Sequence, residues 1–191
     1  MIKSFSLFAL LLFAFVIMGA AQAQNTKVPE VKQEGNLHVL KMSGLYRFHE
    51  VIDMLKVHLF EEGWIVRDIQ DVDVAISKLG KLVPNKIIRV SKPAYLIDTV
   101  EESQMNALTH TQSIIVYQVF EDDDESEIQT IGPVPGEIVI AFIDPVKMAK
   151  FVNLPKPQHL DDTRKELKKA LEETARFFVE SQISTMPVPS N

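Results

Sequence analysis

What most constrains this chain is the order in which strand-type and helix-type hydrophobic patterns follow one another. Leu37 to Met42 reads as a first strand, set behind a Gly35-Asn36 turn. From about Arg47 to Glu62, the residues Phe48, Ile52, Leu55 and Leu59 recur at helical spacing with Val51 beside them. Ser43 is an available cap upstream of that helix and Gly63 is its expected stop. Trp64 to Ile69 and Lys86 to Val90 read as strands, with an ambiguous stretch from Val72 to Gly80 between them. Pro93 can open a second helix that runs to about Leu108. Ser113 to Phe120 is nearly all β-formers, and Ile128 to Ile131 is read as a short edge strand. Gly132-Pro133-Val134-Pro135-Gly136 reads as a break, Ile138 to Ile143 as a strand, and Val146 to Val152 as a short helical piece. The last helix carries Leu160, Leu167, Leu171 and Phe178 on one stripe, with Asp161 or Asp162 as cap. Glu172 and Arg176 stand at a supportive i,i+4 spacing. Strand, helix, two strands, helix, two or three strands, helix is not the regular alternation of a doubly wound nucleotide fold. It predicts a single α+β domain, with helices on one face of a largely antiparallel sheet.

The segment ahead of these elements is of another kind. Lys3 is followed by an apolar run from Leu7 to Met18, then by small residues that include Ala21 and Ala23. A basic start, about twelve apolar residues and an A-x-A end are the parts of a secretory signal. The run is shorter than the roughly 20 residues a spanning helix needs. The expected division is therefore a signal peptide over 1–23, cleaved between Ala23 and Gln24, and a polar, flexible lead-in over 24–36. The folded domain follows over 37–184, with a tail over 185–191 that carries two prolines. That division implies a periplasmic or secreted protein, with no membrane attachment once the signal is removed.

Of the 191 residues, 168 remain after the leader. A domain of that size buries roughly 70% of the surface its unfolded chain exposes. It has no cysteine, so it folds without disulfides, and thiolate metal ligands and a cysteine nucleophile are excluded. Acidic residues outnumber basic ones, 26 to 20. Such a surface repels phosphate backbones, and nucleic acid is not an expected partner.

Several short segments are then familiar as a set. The helix ending in LFEEGWIV, the strand IIRVSKPA that runs into proline, the apolar strand IIVYQVFEDDD and the segment VIAFIDPVKMAKFV follow in order. Together they resemble the DUF302 family, small bacterial and archaeal domains of unassigned function, over roughly residues 40 to 180. The resemblance implies a curved sheet like that of the TATA-box-binding proteins; the likeness is one of shape and does not imply DNA binding. Family members often carry a Leu-Pro pair just before the fourth strand, where this chain has Leu108-Thr109-His110-Thr111-Gln112.

The chemistry-bearing residues are sparse. His49 and Asp53 stand four apart on one helix, which suits two metal ligands, but no third ligand is visible, and a solvated helix face accounts for both. Glu121-Asp122-Asp123-Asp124-Glu125 lacks the spacing and central glycine of a calcium loop and reads as a solvated turn. The ligand-binding candidates are His110 before a strand, Tyr117 within it and Asp144 at the end of another, since an imidazole near a carboxylate is the minimum for acid–base work. Asp before Pro is also a turn former, and a strand Tyr is commonly packing. Phe177 lies about 100° from the Phe178 stripe, so it either widens the core or meets a second copy of the chain. No phosphate-binding glycine loop, serine elbow, HExxH motif or cofactor signature is present. The residues favour a non-enzymatic module that binds a small ligand or a periplasmic protein, with a homodimer as one form. The rival is a hydrolase or proton-transfer enzyme using a His/carboxylate pair such as His110 and Asp144.

Overall fold

The computed structural model describes residues 27–72, 84–95, 111–119, 134–152 and 159–184. Six strands form one sheet: β1 (Lys32–Glu34), β2 (Leu37–Tyr46), β3 (Ile65–Asp71), β4 (Asn85–Ser91), β5 (Gln112–Val119) and β6 (Val134–Ile143). Three helices join them: α1 (Phe48–Glu61), α2 (Pro145–Phe151) and α3 (Leu160–Ser184). The sheet order is β1-β2-β6-β5-β4-β3, and every neighbouring pair is antiparallel. Strands β3 to β6 form a meander. The chain leaves β2, crosses through α1 to the far edge and returns strand by strand until β6 lies against β2.

Period-two patterning fixes which face each strand buries. Leu40 and Met42 of β2, Ile88 and Val90 of β4, Ile114 and Val116 of β5, and Ile138, Ile140 and Phe142 of β6 form the main core. From α1 that core receives Val51, Ile52, Leu55 and Leu59, and from α3 it receives Leu167, Ala170, Leu171, Ala175 and Phe178. Alternate positions face the other way. Val39, Val139 and Ala141 are buried there, with Ile115 and Tyr117 packed against them. The expected α+β domain with an antiparallel sheet is the one observed.

Several boundaries differ from the sequence reading for identifiable reasons. Lys32–Glu34, inside the stretch expected to be a flexible lead-in, is β1, with Glu34 paired to Leu37 across the two-residue Gly35-Asn36 turn. Gly35 has φ +61°, which a two-residue hairpin turn of this kind calls for. Ser43 does not cap α1, because β2 continues through it to Tyr46; the cap position is Arg47, which makes no side-chain cap bond. Gly63 does stop that helix, at φ +79°, and the Trp64 amide donates back to the Leu59 carbonyl. Val134, Pro135 and Gly136 belong to β6 rather than to a break: they continue the ladder with β2, and the β5 ladder reaches only to Glu137. Proline is tolerated there because one side of the strand needs no donor. Arg176 pairs with Glu173 at 2.8 Å, one residue nearer than the expected Glu172. The signal segment, the 128–131 strand, the acidic run 121–125 and all but the first turn of the 93–108 helix lie outside the described residues.

Both sheet edges are guarded. β1 is three residues long and fully exposed, and β3 carries Arg67 and Asp68 at a register shift between Val66 and Asp68. Short, charged or irregular edges discourage pairing with a second chain. No helix among the described residues is long and apolar enough to cross a membrane.

Candidate functional site

The antiparallel register brings five strand termini to one end of the sheet. Leu37 opposes Ile143, Ile114 opposes Phe142, Val90 opposes Gln112, and Ile65 opposes Ser91. Of the seven buried polar residues among those described, His38, Ser91, Gln112 and Asp144 sit at this end, and Thr163 joins them from the first turns of α3. Helix α3 passes over this end. From it Arg164 reaches one polar cluster and Glu166 another.

The first cluster is built on Asp144, whose side chain is 1% exposed. Asp144 is the N-cap of α2: its Oδ1 accepts from the amides of Val146 at 2.9 Å and Lys147 at 3.2 Å, with Pro145 at the first helical position. Its Oδ2 lies 3.0 Å from His38 Nε2 and 3.6 Å from the Arg164 guanidinium. The backbone tightens the same corner, with the Asp144 amide donating to the Asn36 carbonyl at 2.9 Å and the Lys147 ammonium bonding the Gly35 carbonyl. Burial pushes the Asp144 carboxyl up, but the His38 bond, the two amides and the charge of His38 outweigh it, and the group is held below its ordinary value. A carboxylate only accepts, so the bonded Nε2 carries a proton, and whenever the ring is neutral Nδ1 is the acceptor. The ring is stacked on Phe142 with centroids 5.0 Å apart. His38 Nδ1 is buried and has no hydrogen-bond partner.

The second cluster centres on Glu166. Its Oε1 accepts from Lys92 Nζ at 2.7 Å and from the Tyr95 hydroxyl at 2.5 Å, and its buried Oε2 has no partner. Tyr95 stacks on His159 at 4.7 Å, meets Trp64 edge-on at 6.5 Å and lies under the Lys92 ammonium. Burial first, then the bond to Glu166 and its charge, hold the Tyr95 phenol far above its usual range, so it acts as a donor. The Trp64 indole N–H, in a side chain 1% exposed, is likewise buried without a partner.

Of the sequence candidates, Asp144 and Tyr117 lie apart. Asp144 is at the polar end. Tyr117 opposes Val139 and packs on the sheet face turned away from His38, where it is an apolar neighbour of Val39 and Ala141. His110 lies outside the described residues. His49 is exposed and Asp53 pairs with Lys56 at 2.9 Å; among the described residues no three His, Asp or Glu side chains gather as a metal site. Phe177 is 44% exposed and meets Phe178 edge-on. Sequence reading missed His38, although a signal was available: it shares the inward parity of Leu40 and Met42, so a polar ring was due in the core. Lys92 and Glu166 gave no such signal, because 74 positions separate them.

Fold and site together define a small α+β domain with a polar pole at one end of an antiparallel sheet. Among solved structures the chain is similar to an uncharacterised conserved DUF302 protein from Bacillus stearothermophilus. The TM-score is 0.56 at 19% identity, over 71% of this chain and 97% of the other. The domain is thus DUF302-like in fold. No family model and no curated protein matches the chain.

Proposed function

We propose that this protein is an exported, DUF302-like binding or accessory module of the periplasm, which takes a small polar ligand at the polar end of its sheet. One observation carries the reading. Of the four buried side-chain atoms without a partner among the described residues, His38 Nδ1, Trp64 Nε1 and Glu166 Oε2 all belong to that end. Native proteins leave few buried polar groups unmet, and each of these calls for a complement. The leader supports the compartment: the basic start, the apolar run from Leu7 to Met18 and the small residues Ala21 and Ala23 are the parts of a secretory signal.

A second reading has its own observation. His38 and Asp144 form a carboxylate-oriented imidazole, which is the core of an acid–base enzyme. It ranks lower because no nucleophile contacts His38 Nδ1 among the described residues.

A thermal-shift screen of the purified protein against small polar metabolites separates the two. A ligand held at a hundred times its Kd adds about 2.7 kcal/mol. For a domain of this size that corresponds to a rise in Tm of roughly 5–10 °C. Binding without turnover, lost in His38→Gln, supports the module; product formation lost in the same variant supports the enzyme. Mass spectrometry of the native protein checks the compartment, and an intact Met1 on a cytosolic chain overturns export.

A further inference from the structure

The binding reading leaves open what kind of group the site recognises, and the His38–Asp144 pair answers it. The His38 side chain is 5% exposed and its Nε2 is committed to Asp144 at 3.0 Å. Stacking on Phe142 fixes the ring plane. The tautomer and the orientation are therefore set before any ligand arrives, and the single open position is the Nδ1 lone pair.

Both oxygens of the Asp144 carboxylate are already engaged, by two backbone amides, by His38 and by Arg164, and Arg164 also binds Asp161 at 2.7 Å. What the ring still lacks is a hydrogen-bond donor at Nδ1. A metal ion is disfavoured, since no cluster of three donors surrounds the ring among the described residues.

We infer that His38 Nδ1 is the acceptor for an uncharged hydroxyl on the ligand, with Asp144 as the residue that positions the ring. This rests on the binding reading of the polar end and adds the substrate class: a neutral, hydroxyl-bearing molecule such as a polyol. Asp144 also caps α2, so one carboxylate holds both the ring and the start of that helix.

The test uses uniformly 15N-labelled purified protein at a pH where imidazole is neutral, with glycerol and ethylene glycol as probes. The expected free state shows His38 with a protonated Nε2 and a bare Nδ1. Either probe should then move the Nδ1 resonance saturably, while His49 and His58 stay in place. In His38→Gln the side-chain amide still donates to Asp144 but offers no Nδ1, and the probe-dependent rise in Tm should vanish with the circular dichroism spectrum unchanged. A proton on Nδ1 in the free protein overturns the inference. So does an Nδ1 signal that glycerol never moves while the Trp64 indole signal does; in that case the polar end still binds, by another group. If no probe and no library compound moves any signal at that end, the binding reading itself falls.

Discussion

Replacing Asp144 by alanine removes two separable contributions. The α2 cap loses its acceptor for the Val146 and Lys147 amides, a loss of about 0.5–2 kcal/mol. His38 keeps a buried Nε2–H with nothing to receive it, which costs about 1–3 kcal/mol more. The expected destabilisation is about 3 kcal/mol, seen as a fall in Tm of roughly 6–12 °C and as a lower urea midpoint at unchanged m. Asp144→Asn should cost less, because its carbonyl oxygen still caps the helix; only the His38 bond is compromised, at about 1–2 kcal/mol. The pH dependence follows from the depressed carboxyl. Such a group contributes fully above its unfolded-state value, and the contribution is lost as pH falls through the lower folded-state value. The stability gap between wild type and Asp144→Asn should therefore be constant near neutrality and close below about pH 4. The double-mutant cycle of Asp144→Ala with His38→Ala, which removes the bond from either side, should show coupling of roughly 1–3 kcal/mol. Additive single effects, or a gap that persists to acid unfolding, would refute the account of this pair.

Two further substitutions test other parts of the structure. A Cβ at Gly136 would lie 2.5 Å from the Val119 carbonyl oxygen, so Gly136→Ala must part β5 from β6 at an estimated cost of about 1–3 kcal/mol; an unchanged urea midpoint would contradict that close approach. Glu166→Gln deprives the largely buried Lys92 of its counter-charge and should cost about 1–3 kcal/mol, whereas Glu173→Gln at the exposed Arg176 pair should stay within about 0.5 kcal/mol by the same denaturation assay.

What could be read in the sequence was what depends on local periodicity. The α1 stripe of Ile52, Leu55 and Leu59 and the α3 stripe of Leu160, Leu167, Leu171 and Phe178 bury as their spacing indicates, and Gly63 ends α1 as expected. Strand boundaries were less visible. Val134, Pro135 and Gly136 have turn-forming composition, and only the long-range ladder to Gly44, Leu45 and Tyr46 makes them a strand. The candidate site was half legible. Asp144 was marked by its place before Pro145 at a strand end, but its partner His38 stands 106 positions earlier and is brought to it by β2–β6 pairing alone. Tyr117 was misplaced because period-two alternation gives two faces without saying which one carries the helices.

That β2–β6 ladder has a consequence for how the molecule is made. It joins the first long strand to the last, so two neighbouring strands of the sheet come from segments far apart in the polypeptide. Any nascent chain that ends before Val134 holds β2 with one flank open, and its leucines and methionine have no sheet to complete. Closure of so distant a pairing is intrinsically slow. The order of synthesis thus leaves β2 without its β6 neighbour until Ile143 has emerged.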